Sequence, residues 1–589
     1  MTVTDNIQQT PAMKVSWRFG NLPASELLPL LQQYLTAQDA DAQWQLVWLN
    51  NDGRPVIGLL PKVTWCVYFN NTNTHHNYHA CDSPSPPTQT ADDQAPDDQA
   101  PDDQAPDDQA PDDQALAYQP PSYKVIKTCR DDENSVTTAH MSYADWQDEL
   151  ITYSKAYEIN NSAPISIHEE SEKPSYHHGL IGFIGYDIAA HELSPTSNIQ
   201  RLSQPCAMLG HYDIYLSPTN NTSSEASWDL GVNTTDTDPN NEPQNTLIRA
   251  LISYLETLDN TLSDSDHSKE QMTETESKLA PLILTAQWSK LDYRQAFEQT
   301  QNYLQQGDCY QINLTQAWEG QFDNSRGDVE TTMTLIDYLP ALHRNTQAPF
   351  TGYLGVDRSD QPTLSFELLS CSPELFFTFN KDAKTGKHHI RTKPIKGTIP
   401  RGINTEQDLA LKQQLTDSNK DRAENVMIVD LLRNDLGKYA KIGSVKVPQL
   451  FTIESFSNVH HMVSTITAEL KEDSHPLAVL FGSLPAGSIT GTPKRRAVEI
   501  ISELEAAPRG AYCGTLGYMN FDGSGQWNVL IRTLQTDTSL GNKGKISLWA
   551  GGGITIASDC DAEYQECLDK VGNLLNVLTQ ENLVKKYSQ

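Results

Sequence analysis

The chain has 589 residues, a formal net charge of −33 at pH 7 and an isoelectric point near 4.7. Such an acidic protein repels phosphate backbones, which argues against nucleic-acid binding. No apolar run reaches the roughly 18 residues of a transmembrane helix, and the opening MTVTDNIQQT lacks the basic and apolar regions of a signal peptide. Nine scattered cysteines without a CxxC pair suit a reducing compartment. We therefore expect a cytoplasmic protein of more than one domain.

The first half of the chain contains long polar segments in which no packed core is expected. Residues 92–116 are five copies of a five-residue unit, DDQA followed by Pro or, in the last copy, Leu. This acidic tract lacks aromatic and β-branched residues, so we predict a disordered insertion at 83–120 and a disordered N-terminus at 1–13. The segment 218–243, rich in Asn, Thr, Ser and Asp, predicts a second insertion, and residues 258–280 look similar.

The second half shows the periodicities of regular structure. Alternating and helical patterns predict strands at 309–316, 388–399, 512–521, 527–536 and 546–556, and helices at 292–306, 405–437, 494–504 and 561–581.

A lysine in the segment RTKPIKGTIP is the most informative residue of the chain. Lys396 lies between an apolar, proline-bounded run and a glycine, where a solvated surface charge is unusual. A neutral lysine amine is a nucleophile toward carbon, and desolvation or cations such as Arg391 and Lys393 favour the neutral form. An ordinary surface lysine is the alternative, so the neighbouring motifs must decide.

Two helix-length segments, KDRAENVMIVDLLRNDLG and DAEYQECLDKVGNLLNVL, each carry two acids three residues apart. The acids are Asp421 and Glu424 in the first segment, and Glu563 and Glu566 in the second. Residues three apart share one face of a helix, so the two helices offer four carboxylates to a hard cation such as Mg²⁺. Surface acids paired with Arg422 and Lys570 are the alternative for each helix.

Two further segments suggest a binding site for a carboxylate. The predicted strand VLIRTLQT places Arg532 in a buried position, and WAGGGITIAS exposes backbone amides without side chains. A buried ion pair is the alternative for Arg532, and a strand crossing or bulge is the alternative for the glycines. The loop GSITGTPK leads into a helix but lacks the residue order of a P-loop.

Taken together, these segments resemble the chorismate-utilising enzymes from near Leu291 to about Leu578. The matching motifs are GDCYQINL, SPELF, RTKPIKGT, DRAENVMIVDLLRND, VHHMVSTI, GSITGTPK, GYMNF, IRT, AGGGI and EYQE. The upstream GLIGFIGYDIA is similar to the more divergent N-terminal half of that family. The resemblance implies an α+β fold of two large mixed or antiparallel sheets packed together with helices outside. It also implies an N-terminal domain at 14–280 and a catalytic domain at 283–583.

The resemblance implies a role for each matching residue. Glu374, in SPELF, matches a general acid that protonates the departing C4 hydroxyl of chorismate. Lys396 matches a lysine that attacks C2 and forms a covalent adduct, which ammonia then displaces by entering at C4. Mg²⁺ would neutralise the ring carboxylate of chorismate, with Glu424 and Glu566 as direct ligands and Asp421 and Glu563 assisting through water. Further matches are His461 close to the ring, Thr490 in the covering loop, Gln311 facing the substrate, Tyr518, Arg532, Gly551 and Gly553 at the enolpyruvyl carboxylate, and Lys570 near the metal-bound carboxylate.

Two positions separate the branches of this family. Anthranilate synthases have alanine at the position of Lys396, and isochorismate and salicylate synthases have lysine at the position of Gln311. The chain therefore resembles the branch that aminates chorismate at C4, giving 4-amino-4-deoxychorismate for 4-aminobenzoate and folate synthesis. The sequence lacks a G-x-C-x-G elbow, so ammonia would come from a separate glutamine amidotransferase subunit or from free ammonium. The tryptophan-binding pattern of some relatives is also absent.

Two other interpretations remain open on the sequence alone. One is anthranilate synthase component I, which releases pyruvate from chorismate. The other is a non-catalytic chorismate-binding homologue that serves as a binding or regulatory subunit.

Overall fold

The structure, a computed structural model, describes residues 16–38, 44–70, 122–130, 135–160, 174–219, 227–233, 242–263, 279–322, 334–356, 365–382, 384–456, 459–537 and 544–579. The predicted disordered segments 1–13 and 83–120 lie outside these residues. Within the described ranges, two 12-stranded sheets form the centre of the fold, and eleven α-helices surround them. None of these helices is both long and apolar enough to cross a membrane.

The first sheet combines strands from both halves of the chain. In spatial order it contains β1 (Ser16–Trp17), β10 (Trp228–Val232), β9 (Ile214–Pro218), β3 (Val56–Leu60), β2 (Val47–Leu49), β13 (Phe350–Val356), β14 (Phe366–Ser372), β23 (Thr533–Asp537), β24 (Lys545–Ile554), β12 (Gln311–Gln321) and β11 (Thr285–Ala286), with β20 (Gly491–Thr492) paired to β12. Its pairings are antiparallel, and the long β12–β24 ladder runs from Gln321↔Lys545 to Ile312↔Ile554.

The second sheet is built in the same way. In spatial order it contains β17 (Ile395–Pro400), β19 (Val459–Glu469), β16 (His388–Lys393), β15 (Leu375–Lys381), β22 (Gly525–Asn528), β21 (Thr515–Asn520), β7 (Gly179–Ile184), β8 (Ala207–His211), β4 (Val63–Phe69), β5 (Ser122–Cys129) and β6 (Ser135–Ser142), with β18 (Lys446–Ser455) paired to β19. Because both sheets mix strands from before and after residue 281, the boundary between the two predicted domains stays a prediction.

Apolar side chains fill the space between the sheets and cover their outer faces. The core between the sheets includes Ile181, Phe183, Leu354, Phe366 and Leu516. The helices on the first sheet are α1 (Ala24–Gln38), α4 (Glu242–Ser263), α6 (Leu339–Thr346) and α11 (Cys560–Leu578). The helices on the second sheet are α2 (Tyr143–Asn160), α3 (Tyr186–Leu193), α8 (Asn419–Gly437) and α9 (Pro476–Ser483). The helices α5 (Lys290–Gln306) and α10 (Lys494–Leu504) pack on β12 and β24, and α7 (Thr405–Asp417) lies against β17 and β18.

The α+β prediction is confirmed, and most predicted elements occur with shifted ends. The helix predicted at 405–437 is two helices, because the backbone leaves the helical region at Ser418, whose side chain accepts from the Asp421 amide and caps α8. The strand predicted at 388–399 divides into β16 and β17 at Pro394, which has no amide hydrogen for the ladder.

The expectation that the polar segments contribute nothing to a packed core is wrong for two parts of the chain. Within 218–243, residues Trp228–Val232 form β10, and Trp228 is buried against the first sheet. Within 258–280, the chain continues α4 as far as Ser263, and Leu258 and Leu262 join the core. In both parts a few buried apolar side chains hold an otherwise polar segment against the core. The composition of the segment does not show that these few side chains are buried.

Phe377→Ala is expected to lower the free energy of unfolding by about 3–5 kcal/mol. Phe377 is fully buried on β15 and packs against Phe376 and Phe379, so truncation leaves a cavity. The change is measured by urea denaturation followed by tryptophan fluorescence. Ile442→Ala is the control, because Ile442 is 98% exposed and should change stability by less than about 0.5 kcal/mol. Equal midpoints for the two variants would contradict the described core.

Candidate active site

Lys396 lies at an irregular point of β17. The register between β17 and β19 shifts between Ile395 and Thr398, and Gly397 has a φ of +83°. A Cβ atom on Gly397 would lie 2.9 Å from the carboxyl carbon of Asp421, so glycine supplies both the backbone conformation and the space. An irregularity of this kind re-aims a neighbouring side chain, and here the Lys396 amine reaches the ladder of β12 and β24.

The end of that ladder brings Lys396 beside Gln311. Gly553 on β24 pairs with Asn313 on β12. A Cβ atom on Gly553 would lie 3.3 Å from Lys396 Nζ and would overlap the buried Gln311 amide. The bare backbone at Gly553 is therefore required for the lysine and glutamine side chains to lie together at this position.

Glu374 lies in the short connection between β14 and β15 and is buried. Burial raises the pKa of its carboxyl to about 7, although Lys396, the Ser488 hydroxyl and Lys570 oppose the shift. Ser488 Oγ donates a hydrogen bond of 3.5 Å to Glu374 Oε1. A carboxyl group with this pKa is about half protonated at pH 7, so Glu374 can act as a proton donor close to Lys396.

One lysine joins the two acidic helices, and a second lysine attaches α11 to β24. Lys420 Nζ, on α8, lies 3.3 Å from Glu563 Oε1 on α11. Lys570 Nζ lies 2.7 Å from Glu566 Oε1 and donates a 2.7 Å hydrogen bond to the carbonyl of Gly551. Burial would raise the pKa of Glu566, but the Lys570 ammonium holds it below its usual value. The acidic face of α11 is thus attached to the glycine segment of β24.

The pKa of Glu424 depends on charged residues of both acidic helices. Burial raises the pKa of Glu424, Lys396 and Lys420 oppose this shift, and the nearby charges of Glu563 and Asp421 add to it. The carboxylates of Glu424, Glu563 and Asp421 and the Lys396 amine are therefore close enough for their charges to interact. The mutual repulsion of the carboxylates is of the kind that a bound cation removes.

The four acids are not assembled as a ready-made metal cluster. In the part of the chain that the structure describes, no group of three His, Cys, Asp or Glu side chains is close enough to hold a metal ion. Lys420 and Lys570 instead hold two of the carboxylates in ion pairs. The donors are all carboxylate oxygens on two facing helices, which fits a hard cation such as Mg²⁺ in chemistry.

Arg532 does not lie inside a strand as predicted. β22 ends at Asn528 and β23 begins at Thr533, and Arg532 precedes β23 with a φ of +52°. No carboxylate of the described residues forms an ion pair with its guanidinium, so the buried ion pair is not what the structure has. β23 pairs with β24 only as far as Leu548. Gly551 pairs with Thr315 of β12 on one side, and its other side has no strand partner in the described ranges. A guanidinium near bare amides suits a carboxylate.

His461 and Thr490 complete the surroundings. His461 is buried on β19, and its Nδ1 lies 2.8 Å from Thr398 Oγ1. Burial and the charge of Arg532 lower the pKa of His461 to about 4, so its imidazole is neutral at pH 7. Thr490 directs its hydroxyl to the backbone of its own loop, and its carbonyl accepts a 2.9 Å hydrogen bond from the Asn313 amide. Thr490 thereby holds the loop against β12.

Tyr518 does not join this group of residues, which corrects the prediction that it holds a substrate carboxylate. It is fully buried between the sheets, and its hydroxyl donates a 2.8 Å hydrogen bond to the carbonyl of Pro174. Tyr512, six residues earlier, is the tyrosine beside the glycine segment, because its ring stacks on Trp549 of β24 at 5.9 Å. Both tyrosines occur in one apolar run, so sequence alone could not choose between them.

Two further residues of this region, Ser488 and Lys420, were not predicted from the sequence. Ser488 contacts Glu374, and Lys420 contacts Glu563. A signal exists for each, because Ser488 lies in the GSIT motif and Lys420 directly precedes the first acid of α8. The sequence does not show which side chain either residue contacts.

Comparison with known proteins matches most of the chain to one family. Residues 113–576 match the family described as chorismate binding enzyme. "Aminodeoxychorismate synthase component 1" of Salmonella typhimurium is 35% identical over 457 residues, which cover 77% of this chain and 87% of that protein. "Anthranilate synthase component 1" of Acetivibrio thermocellus is 30% identical over 422 residues, covering 70% of this chain and 77% of that protein.

A solved structure shares the fold. Anthranilate synthase component I from Streptococcus pneumoniae superimposes with a TM-score of 0.56 and 22% identity, covering 79% of this chain and 91% of that one. At this identity the similarity bears on the fold alone.

Glu374→Gln is expected to stabilise the protein at pH 8. The folded-state pKa of Glu374, about 7, lies above its ordinary value of 4.5, so the natural protein loses stability as the pH rises from about 4.5 to 7. Glutamine does not ionise. The variant should therefore have a free energy of unfolding higher by on the order of 1–3 kcal/mol at pH 8, and the difference should shrink toward pH 5.

Urea denaturation at pH 5 and pH 8 measures this difference. Glu406→Gln is the control, because Glu406 is exposed and its substitution should have the same small effect at both pH values. A Glu374→Gln effect that is independent of pH would contradict the raised pKa.

Proposed function

The chain belongs to the chorismate binding enzyme family, and on this premise we propose that it aminates chorismate at C4 to give 4-amino-4-deoxychorismate. The observation that carries the proposal is the position of the Lys396 amine. It lies against Gly553 beside Gln311, and its charge acts on the buried Glu374. A nucleophile and a proton donor are thus next to each other, and the side chain at Gln311 cannot activate water as a lysine would.

The proposed reaction has two displacements on the ring. Lys396 loses its ammonium proton to water, and its neutral amine then forms a bond to C2 while the ring double bonds shift and the C4 hydroxyl leaves. Glu374 gives that hydroxyl its proton, so that it departs as water rather than as hydroxide. Ammonia then forms a bond to C4, the double bonds shift back, and the Lys396 amine leaves C2. Such splitting replaces one difficult displacement by two easier ones, and the proton donation is worth roughly 10²–10⁴ in rate.

The two carboxylates of chorismate need separate binding groups in this proposal. Arg532 and the bare backbone at Gly551 would hold the enolpyruvyl carboxylate. The ring carboxylate would lie near Glu424 and Glu566. A Mg²⁺ ion bound there would offset the repulsion between the ring carboxylate and the two glutamates. Asp421 and Glu563 would assist from the same helices. Lys570, tied to Glu566 and to the Gly551 carbonyl, would hold α11 at the distance that this arrangement requires.

His461 and Thr490 would shape the site around the ring in the same proposal. A neutral imidazole at His461 adds no charge beside the substrate. Thr490, through the Asn313 amide, would keep its loop closed over the site. Neither residue has to exchange a proton with the substrate for the two displacements to proceed.

Ammonia would reach the site from a partner subunit. The Salmonella relative is named as a component 1, which supports an assembly with a second component. We propose that this second component is a glutamine amidotransferase, and that the product serves 4-aminobenzoate and folate synthesis in the cytoplasm. Free ammonium would replace the partner in vitro.

Anthranilate synthesis is the second candidate, because the Acetivibrio relative carries that name and spans a similar share of the chain. The two reactions differ in products. Anthranilate synthesis aminates C2 and releases pyruvate, whereas C4 amination keeps the enolpyruvyl group. Lys396 favours C4 amination, because a lysine adduct at C2 blocks the position that ammonia attacks in the other reaction.

Incubation with chorismate, ammonium and millimolar Mg²⁺ is expected to give 4-amino-4-deoxychorismate without pyruvate. Mass spectrometry of the products, together with a lactate dehydrogenase assay for pyruvate, distinguishes the candidates. Anthranilate with stoichiometric pyruvate would refute the C4 assignment. No turnover, with chorismate still binding, would favour a non-catalytic homologue.

Lys396→Ala is expected to abolish the covalent adduct and to lower C4 amination by at least about 100-fold. Intact-protein mass spectrometry after rapid acid quench detects the adduct, and peptide mapping locates it. Lys393→Ala is the matched control, since Lys393 lies close by on β16 and its ammonium pairs with Glu454 at 2.6 Å. The control should keep both adduct and turnover. Unchanged turnover in Lys396→Ala would remove that residue from the mechanism.

A further inference from the structure

A buried ion pair lies behind the candidate site and has no part in the proposed chemistry. Arg509 Nη2 lies 2.6 Å from Glu505 Oε1, and Arg509 Nε lies 2.8 Å from Glu505 Oε2. Arg509 is 1% exposed and Glu505 is 8% exposed. Glu505 follows the end of α10, and Arg509 lies in the turn before β21. A buried pair of this kind needs further hydrogen bonds to offset its desolvation, and those bonds indicate what it holds.

The pair takes the place of a strand along β12. β20 pairs only with the first two residues of β12. Beyond them, the Thr315 amide and hydroxyl donate to Glu505 Oε1 at 2.8 and 2.9 Å. Arg509 Nη2 donates to the carbonyl of Asn313 at 2.7 Å. Side chains therefore satisfy the backbone groups of β12 that a neighbouring strand would otherwise pair.

The same pair also holds the loop that carries Ser488. Arg509 Nη1 donates to the carbonyl of Ile489 at 3.2 Å, and the Asn313 amide donates to the carbonyl of Thr490 at 2.9 Å. Ile489 directly follows Ser488. The position of the Ser488 hydroxyl is thus set by contacts that run through Arg509 and β12.

The contact that Ser488 makes is sensitive to small movements. Its Oγ lies 3.5 Å from Glu374 Oε1, which is at the outer limit of a hydrogen bond. A displacement of the loop by a few tenths of an ångström would decide whether the bond exists. Lys396, Lys570 and the Ile395 amide also act on Glu374, and none of these three is bonded to the pair. The Cys513 thiol lies near both Glu374 and the pair, and burial raises its pKa, so it is uncharged at neutral pH.

We propose that Glu505 and Arg509 are positioning residues that keep Ser488 within hydrogen-bonding reach of Glu374. The inference rests on the proposed function, in which Glu374 is the proton donor. The two residues touch neither the substrate nor the reacting atoms. Ser488 donates to the carboxylate form of Glu374 and so favours it. Loss of the contact would therefore raise the pKa of Glu374 and change proton donation.

The experiment compares the pH dependence of kcat for three variants, with saturating chorismate, ammonium and Mg²⁺. The alkaline limb reports loss of the Glu374 proton. Ser488→Ala is expected to shift this limb upward by about half a pH unit. Arg509→Lys keeps the charge but loses the planar fork, and it is expected to shift the limb in the same direction. The double variant should shift no further, because both changes break one contact.

A limb that stays in place in Arg509→Lys, with only a lowered melting temperature, would show that the pair is merely structural. Fully additive shifts in the double variant would also overturn the proposal. Arg496→Lys is the matched control, since Arg496 lies on α10 and pairs with Asp308 and Glu499 near the surface. Its limb should coincide with that of the natural protein.

Thr315→Val gives a milder test if Arg509→Lys does not fold. It removes one hydrogen bond to Glu505 and leaves the pair in place, so the expected shift has the same direction and a smaller size. An unmoved limb in Thr315→Val beside a shifted limb in Ser488→Ala would count against the proposal. Full turnover by Glu374→Gln would instead refute the proposed function, so the two failures are distinguishable.

Discussion

The site depends on a balance of charge between two acidic helices and a small set of lysines. α8 and α11 direct carboxylates into one region, and the ammonium groups of Lys396, Lys420 and Lys570 border it. Without these cations the carboxylates would repel each other in a partly desolvated place, where such repulsion is strong. Lys396 differs from the other two lysines because it lies on a strand. Its irregular backbone at Gly397 places it between the acids and the β12–β24 ladder.

This local balance matters because the protein as a whole is strongly acidic. A net charge of −33 repels an anionic substrate at long range. Binding must therefore come from nearby positive groups. Arg532 has no carboxylate partner among the described residues. It directly precedes β23, close to the part of β24 that β23 leaves unpaired. Burial raises the pKa of Glu374 to about 7, so this carboxyl carries only about half of a negative charge at pH 7 and repels the substrate less than an ordinary glutamate would.

The motifs of the sequence name most of the side chains that the structure brings close together, and whether these side chains form the active site stays a prediction. The acid pairs of α8 and α11 and the position of Lys396 were predictable, because helical spacing and a glycine-bounded lysine are local signals. The break at Ser418 and the conformation of Arg532 were missed, since each depends on a backbone change at one residue. Tyr518 was mistaken for a site residue, because only the packing of the sheets separates it from Tyr512. The contact of Glu505 with Thr315 spans 190 residues, beyond the reach of any sequence period.

The most direct test of the account is a crystal structure of Lys396→Ala with chorismate and Mn²⁺, located by its anomalous scattering. One strong anomalous peak is expected between Glu424 and Glu566, with the ring carboxylate beside it and C2 of the ring facing the truncated side chain at 396. The C4 hydroxyl is expected within hydrogen-bonding distance of Glu374. A metal bound away from α8 and α11, or a ring turned so that C4 points away from Glu374, would contradict the account.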